Sequence, residues 1–568
     1  MVLLRGIYFC SRCAAGRAVY DEDSGAICFR QQSAENMFSC DGGGSRPGCS
    51  RGGGVPPEST RNGIRNPAWP LPLHPRSPVF PGAMHDPDPT SSLAPPLGDI
   101  PPDEMRALLH QVADWAADYR AGIEGRRISP DVQPGEIAAA LPAAMPEGPE
   151  PLRAILRDLD ERVMPGVVHW GHPAFLGYFG STSNGPALLA EVVAAALNVS
   201  AMTWKVSPSA TELETVVLGW LRGMLGLAPE WEGIVYDTGS VAAMHALAAA
   251  REALGLDVRR RGLAGRPELP RLRVYASDQA HSSAEKSAIA LGIGEENVRR
   301  IPSDAEFRMD VGQLRRALDE DARAGFRPLA VIATVGTTST ASVDPVAAIA
   351  DVCAEHGVWL HVDAAYGGAM AMLPEGRWAL DGCERADSLV VNPHKWLFVP
   401  LDFSVLFTRR PEWLRRTFSL VPEYLRGDAS GDGGRDYMDY GIQLGRRFRA
   451  LKAWMVFRAF GRSGIEARIR EHCRLARLWS SWVEAEDEWQ LTAPTTMSVV
   501  CFRHAPAGMR PQDVDAHNEG IAARVNAEGE VYLTHTSLRG RTSLRIGLGN
   551  LLTEERHLRT AWDRVRSG

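Results

Sequence analysis

The sequence predicts an α/β fold with a largely parallel β-sheet, followed by a smaller α+β domain, and three observations predict it. Between positions 233 and 407, short apolar runs of strand character alternate with stretches of helical periodicity, the order of a parallel sheet with crossover helices. After position 456 this alternation gives way to a long helical stretch, two isolated strand-like runs and a closing helix. With 568 residues, 45% of them hydrophobic and 23% charged, the chain can bury a large core in two or three domains without disulfides or metals.

Positions 1–98 are rich in chain breakers: glycine triplets at 42–44 and 52–54, then Pro70, Pro72, Pro75 and Pro78. They are expected to be a disordered leader, and Met84 is a candidate start codon within it. Arg5 interrupts the apolar letters at the N-terminus, which leaves too short a run for a secretory signal. Cys10 and Cys13 have C-x-x-C spacing, but no matching pair follows among Cys28, Cys40 and Cys49, so no metal site is expected. Cys353, Cys383, Cys473 and Cys501 read as reduced thiols.

A helical segment is expected over 99–184, opened by Met105, Leu108, Leu109, Val112, Trp115 and Ala116 at helical spacing. The large domain, 185–455, carries strand-like runs at 233–236, 272–276, 329–335, 358–362, 388–391 and 404–407, with a helix at 241–254. The small domain, 456–568, is expected to hold a helix at 465–484, strands at 498–502 and 542–546, and a helix at 553–565. There is no internal repeat.

A formal net charge of -7 offers no basic excess for a phosphate backbone or an anionic membrane surface, so nucleic acid is not an expected partner. The best apolar run, 187–199, is broken by Glu191 and falls short of a membrane span. A cytoplasmic protein is expected.

Functional residues in such a fold belong at the C-terminal ends of strands. Lys395 follows the strand-like run 388–391, and its flanks, Trp396, Leu397, Phe398 and Val399, are apolar. A partly desolvated ammonium loses its proton more readily, and a neutral amine can form a Schiff base with a carbonyl. Upstream, the buried-type strand 358–362 leads into Asp363, then Ala364, Ala365, Tyr366, Gly367 and Gly368. A carboxylate there either caps the next segment of chain or pairs with the ring nitrogen of a pyridinium cofactor.

These two motifs, with GIEGRRISPDVQPGE at 122–136, MPGVVHW at 164–170, SPSATELE at 207–214, SDQAHSSAEKSA at 277–288, HVDAAYGG at 361–368, NPHKW at 392–396 and LGRRFRALKAW at 444–454, resemble the group II pyridoxal-phosphate decarboxylases. Aromatic-L-amino-acid decarboxylases are the nearest branch, and the resemblance runs from about 102 to 562. It implies a PLP-dependent transferase fold of type I, like aspartate aminotransferase, and pyridoxal 5'-phosphate as cofactor. By residue-for-residue match it implies Lys395 as the Schiff-base lysine, Asp363 at the pyridine nitrogen, His281 stacked on the ring and Ala365 on its other face. Thr238, Gly239 and Ser240 match a phosphate-binding loop between strand 233–236 and the next helix, a setting whose free amides suit a dianion. The carboxylate of Asp237 is then expected to point away. Asn392 matches a second phosphate-region residue and Thr338 a threonine near the cofactor.

The same resemblance implies that Tyr424 returns a proton to Cα after carbon dioxide leaves, from a glycine-rich loop over 419–440 that acts as a lid. Retention of both Tyr424 and His281 favours simple decarboxylation over the aldehyde-forming reaction of some relatives. Trp170, Tyr178 and Phe179 match residues lining the substrate side, which suits an amino acid with a planar side chain. Met202 and Leu401 stand where relatives often carry Phe, and Gly180 where Pro is common, so a wider pocket is expected. Met202 would come from a partner subunit, which implies a homodimer with its active site at the interface and Trp204 and Leu213 buried across it. Transamination is the other fold-type I reading, and Arg446 and Arg447 are the arginines available to clamp an α-carboxylate for it.

Overall fold

The computed structural model describes residues 18–21, 26–29, 98–420 and 434–567. Within the first 71 residues, β1 (Ala18–Asp21) and β2 (Ala26–Phe29) pair antiparallel. The other leader positions, including Cys10, Cys13 and Met84, lie outside the described residues.

From residue 98 onward the chain is organised around a seven-stranded sheet. Its strands are β3 (Glu232–Tyr236), β4 (Arg271–Ser277), β5 (Val298–Ile301), β6 (Phe326–Thr334), β7 (Trp359–Asp363), β8 (Ser388–Val391) and β9 (Ser404–Thr408), in the order β3-β9-β8-β7-β6-β4-β5. Only β9 runs against its neighbours, β3 and β8; the remaining pairs are parallel. Helices cover the sheet, so its inner strands are buried on both faces and read as unbroken apolar runs: Leu329 to Ala333 of β6 are all buried. The α/β class and the mostly parallel sheet are as the sequence predicts.

A second, antiparallel sheet contains β10 (Trp489–Leu491), β11 (Val499–His504), β12 (Thr534–Leu538) and β13 (Arg541–Gly547), in the order β10-β11-β13-β12. Helices Pro511–Glu528 and Glu555–Arg566 pack with it over a core in which Trp479 meets Phe502 and Trp562 edge-on at 5.4 and 5.2 Å. Ile128, Phe175 and Leu176 join this core rather than that of the large sheet. The amide of Leu176 donates to Tyr532 O at 2.8 Å, and that of Gly547 to Leu176 O at 2.8 Å. The N-terminal segment therefore ends by docking its 174–178 stretch on the small sheet.

From residue 98 onward, three strands escape the sequence reading for identifiable reasons. β5 is an edge strand with the letters VRRI, β12 an edge strand with the letters THTSL, and β10 has three residues, so none shows a long apolar run. The expected helix at 465–484 is the second limb of a longer one, Arg449–Glu484, kinked at Gly461 with φ 64°. Among the described residues no helix is long and apolar enough to cross a membrane.

Candidate active site

Five strands end at one edge of the large sheet, and each places a candidate residue there. Thr238, Gly239 and Ser240 follow β3, His281 follows β4, Thr338 follows β6, Asp363 ends β7, and Lys395 lies in the single turn Pro393–Trp396 after β8. β6, β7 and β8 are adjacent, with Asp363 in register with Thr334 and Val390.

Backbone hydrogen bonds tie these strand ends together. The amide of Asn392 donates to Ala365 O at 3.0 Å and that of Lys395 to Asn392 O at 2.9 Å, so the lysine turn is built on the segment that follows Asp363. Asp363 Oδ1 accepts the Ala365 amide at 3.1 Å. The side chain of Asn392 accepts from Ser404 Oγ at 2.6 Å and lies against Gly239, where a Cβ would come within 2.8 Å of its Nδ2. Only glycine lets the β3 loop approach that closely. Thr238 caps the helix Gly239–Ala253, its hydroxyl accepting the Val241 amide at 3.4 Å. Asp237 Oδ1 turns back to accept the Thr238 amide at 2.8 Å.

Lys395 is partly buried, and burial lowers its pKa; the positive charge of Arg545 lowers it further, while Asp363 opposes both. His281 accepts the Ser283 amide on Nδ1 at 3.1 Å, so a neutral ring carries its proton on Nε2. Enclosure by protein lowers its pKa, opposed by Asp363 and reinforced by Lys395 and Lys286, although the residue keeps solvent-exposed surface. His281, Asp363 and Lys395 thus act electrostatically on one another.

Phe179 forms the wall beside the lysine: Lys395 Nζ lies 4.9 Å from its ring centroid. Tyr366 stacks on Phe179 at 4.1 Å and on Trp396 at 4.9 Å. Tyr366 Oη bonds Ser498 Oγ at 2.6 Å, which anchors the stack just ahead of β11. Trp170, Phe175, Tyr178 and Tyr532 form a second aromatic cluster, with Trp170 stacked on Phe175 at 4.7 Å and on Tyr178 at 5.4 Å, and Phe175 stacked on Tyr532 at 4.9 Å. Trp170 and Tyr178 keep 38% and 49% of their surface exposed, so they face an opening rather than a core. The backbone of Tyr178 to Gly180 runs against residues 547–550 so closely that a Cβ on Gly180 would meet Asn550 N at 3.0 Å and Gly549 C at 3.1 Å.

Two residues near the site were not singled out from the sequence. Arg545, on β13, is 4% exposed; its Nη1 donates to Tyr178 O at 2.7 Å and its Nε to Ser339 O at 3.1 Å. Its Cζ sits 4.9 Å from the Phe179 centroid, and its buried Nη2 has no hydrogen-bond partner among the described residues. An arginine inside the apolar strand-like run 542–546 was the available signal. Tyr532 belongs to the wall through a three-dimensional contact that no sequence motif marks.

Other candidates sit differently. Thr338 is exposed, on a loop pinned by the hydroxyl chain Thr337–Thr340–Ser342 at 2.9 and 2.7 Å. Met202 and Leu401 take no part in the hydrogen bonds or ring contacts that join the cluster: Met202 O accepts the Met438 amide at 3.0 Å, and Leu401 is 62% exposed. Tyr424, with the lid positions 421–433, lies outside the described residues. Arg446 and Arg447 both have acidic partners already. Arg446 is buried and donates to Glu214, Ala201 O and Val235 O, and Arg447 pairs with Glu191 at 2.8 Å.

The arrangement fits pyridoxal phosphate on its own terms. It combines a partly buried lysine with a lowered pKa, a carboxylate at the neighbouring strand end, an open imidazole, and a loop of amides at a helix N-terminus that glycine brings against an asparagine. The pyridoxal-dependent decarboxylase conserved domain matches residues 134–505. The aromatic-L-amino-acid decarboxylase of Sus scrofa is 39% identical over 474 residues, 82% of this chain and 96% of that protein. The solved structure of Oryza sativa TDC with PLP and tryptamine superposes with a TM-score of 0.79 at 38% identity, covering 84% of this chain and 98% of that one. That of Rhodiola rosea 4-hydroxyphenylacetaldehyde synthase gives 0.76 at 33%, covering 82% and 98%. The fold is that of the fold-type I enzymes, and the chain belongs to the pyridoxal-dependent decarboxylase family.

Proposed function

We propose that the chain decarboxylates an aromatic L-amino acid to its amine and carbon dioxide, as a cytoplasmic homodimer with the active site at the subunit interface. The observation that carries the reading is the meeting of Lys395 and Asp363 at adjacent strand ends beneath the Phe179 wall.

When bound, pyridoxal phosphate supplies an aromatic electron sink for the charge released as the Cα–carboxylate bond breaks. Lys395 holds its neutral amine ready because burial and Arg545 oppose protonation of Nζ. The carboxylate of Asp363 would pair with the pyridine nitrogen and favour its protonated form. Thr238, Gly239, Ser240 and Asn392 would hold its phosphate, Ala365 would leave room for its ring, and His281 would stack over it. Arg545 has donor capacity on Nη2 for the α-carboxylate of the substrate. Trp170, Tyr178, Phe179 and Tyr532 offer flat surfaces to a planar side chain. Thr338 would stand near the cofactor, and Tyr424 would return a proton to Cα while its loop excludes water.

The dimer is supported by the helix Gly185–Leu197, where Leu188, Leu189, Val192, Val193 and Leu197 are 39% to 61% exposed on one short element. A second copy would cover them and supply Met202 to the pocket. The similarity to an aldehyde synthase keeps oxidative decarboxylation to an aromatic aldehyde as a second reading.

One assay separates these. Purified protein with pyridoxal phosphate is given tryptophan, 5-hydroxytryptophan, L-DOPA, tyrosine, phenylalanine, histidine and glutamate, and amine, aldehyde, peroxide and carbon dioxide are measured. Aromatic amine equal to carbon dioxide is expected, and Lys395→Ala should abolish it. Aldehyde with peroxide would establish the second reading, while conversion of the cofactor to its amine form without carbon dioxide would indicate transamination.

A further inference from the structure

The residue after the lysine is held by the small domain through one histidine. His472, on the second limb of the helix Arg449–Glu484, is 3% exposed. Its Nδ1 accepts from Trp396 Nε1 at 3.0 Å, and its Nε2 donates to Asn550 O at 3.1 Å. An indole nitrogen can only donate and a carbonyl can only accept, so both partners require the neutral tautomer with the proton on Nε2. Burial keeps the ring neutral, with its pKa lowered to about 4.

Both ends of this chain of bonds lead to the active site. On one side Trp396 adjoins Lys395 and stacks on Tyr366, which stacks on Phe179. On the other, Asn550 Nδ2 donates to His172 O at 2.8 Å, and the Asn550 backbone abuts Gly180, the residue after Phe179. Two segments far apart in sequence, the lysine turn and the aromatic wall, therefore meet at a single imidazole. Neither bond is replaceable by water, because Trp396 is 1% exposed and Asn550 2%.

We propose that His472 is a positioning residue of the decarboxylation, its Nδ1 setting the lysine turn through Trp396 and its Nε2 setting the aromatic wall through Asn550. The assignment rests on the function proposed above.

The two roles can be separated, because an asparagine side chain reaches the place of Nδ1 and a glutamine side chain that of Nε2. His472→Asn keeps an acceptor for Trp396 and loses the bond to Asn550; His472→Gln does the reverse. In the holoenzyme, His472→Gln is expected to lower kcat about tenfold with KM little changed, the effect of one buried hydrogen bond. It should also shift the pH midpoint of the visible absorbance of the bound cofactor. His472→Asn is expected to keep kcat and that absorbance and to raise KM several-fold. Trp396→Phe should reproduce the His472→Gln spectrum, and the double variant should add nothing further. Equal loss of thermal stability in both single variants, with kcat, KM and spectrum unchanged, would reduce His472 to a packing residue and overturn the proposal. So would identical kinetic changes in the two. The absorbance needs no substrate, so failure of the wild type to release any aromatic amine would count against the proposed function and leave this test standing.

Discussion

Replacing Arg545 by Gln should move the pH dependence of cofactor capture to the alkaline side. Arg545 Cζ and Lys395 Nζ each lie 4.9 Å from the Phe179 centroid, so the two charges can be no more than twice that distance apart, about 10 Å. At an effective dielectric constant of about 20, like charges about 10 Å apart repel by about 1.7 kcal/mol, and a shorter separation gives more. Removing the guanidinium should therefore raise the Lys395 midpoint, and at a fixed pH below that midpoint slow capture by roughly tenfold, since about 1.4 kcal/mol is a tenfold change. Arg545 disfavours the ammonium, so its loss favours the protonated form and less neutral amine remains at a given pH. The assay is the rate at which apoenzyme captures pyridoxal phosphate, followed by absorbance across pH. Arg545→Lys keeps the charge and controls for the lost bonds to Tyr178 O and Ser339 O. Asp363→Asn removes the opposing charge and should move the midpoint to the acid side. A midpoint that stays in place in Arg545→Gln, or moves equally in Arg545→Lys, would refute the electrostatic coupling.

Three further outcomes are expected. Gly239→Ala puts a Cβ 2.8 Å from Asn392 Nδ2; the amide must yield its bond from Ser404 Oγ, and cofactor affinity should fall about tenfold in an absorbance titration. Glu214→Gln removes the charge from a buried pair in which both side chains are at most 6% exposed, which should cost about 3 kcal/mol by chemical denaturation at fixed cofactor concentration. A loss below about 1 kcal/mol would mean that Arg446 is held by Ala201 O and Val235 O alone. Tyr424→Phe should shift the product from amine toward aldehyde and ammonia, and an unchanged ratio would remove Tyr424 from the mechanism.

Much of this was legible in the sequence because it is local. Lys395 and Asp363 each sit within a residue or a few of a buried strand, so an apolar run followed by a polar letter finds both. Thr238 is a helix cap directly after a strand, again a local pattern. The pieces that escaped are those defined across the fold. Tyr532 reaches Phe175 through a bridge between segments more than 350 residues apart, and His472 meets Trp396 across 76. Edge strands β5 and β12 carry polar letters because one side of each has no neighbouring strand, which erases the apolar signal.

The arginines show how a motif can mislead when its residues are read as free. Arg446 and Arg447, in LGRRFR, look like a carboxylate clamp, yet Arg446 is paired with Glu214 and also serves Val235 O of β3 and Ala201 O, and Arg447 pairs with Glu191 on the helix Gly185–Leu197. What marks a guanidinium for an incoming anion is burial without a carboxylate, since desolvation leaves its donors costly until an anion arrives. Arg545 meets that condition: it is buried, its two bonds go to main-chain carbonyls, and Nη2 has no partner among the described residues. A carboxylate clamp by itself serves transamination and decarboxylation equally, because both must orient the same substrate group. The reactions part at the fate of the carboxylate and at the proton returned to Cα. The product assay and Tyr424→Phe therefore decide between them, and arginine geometry does not.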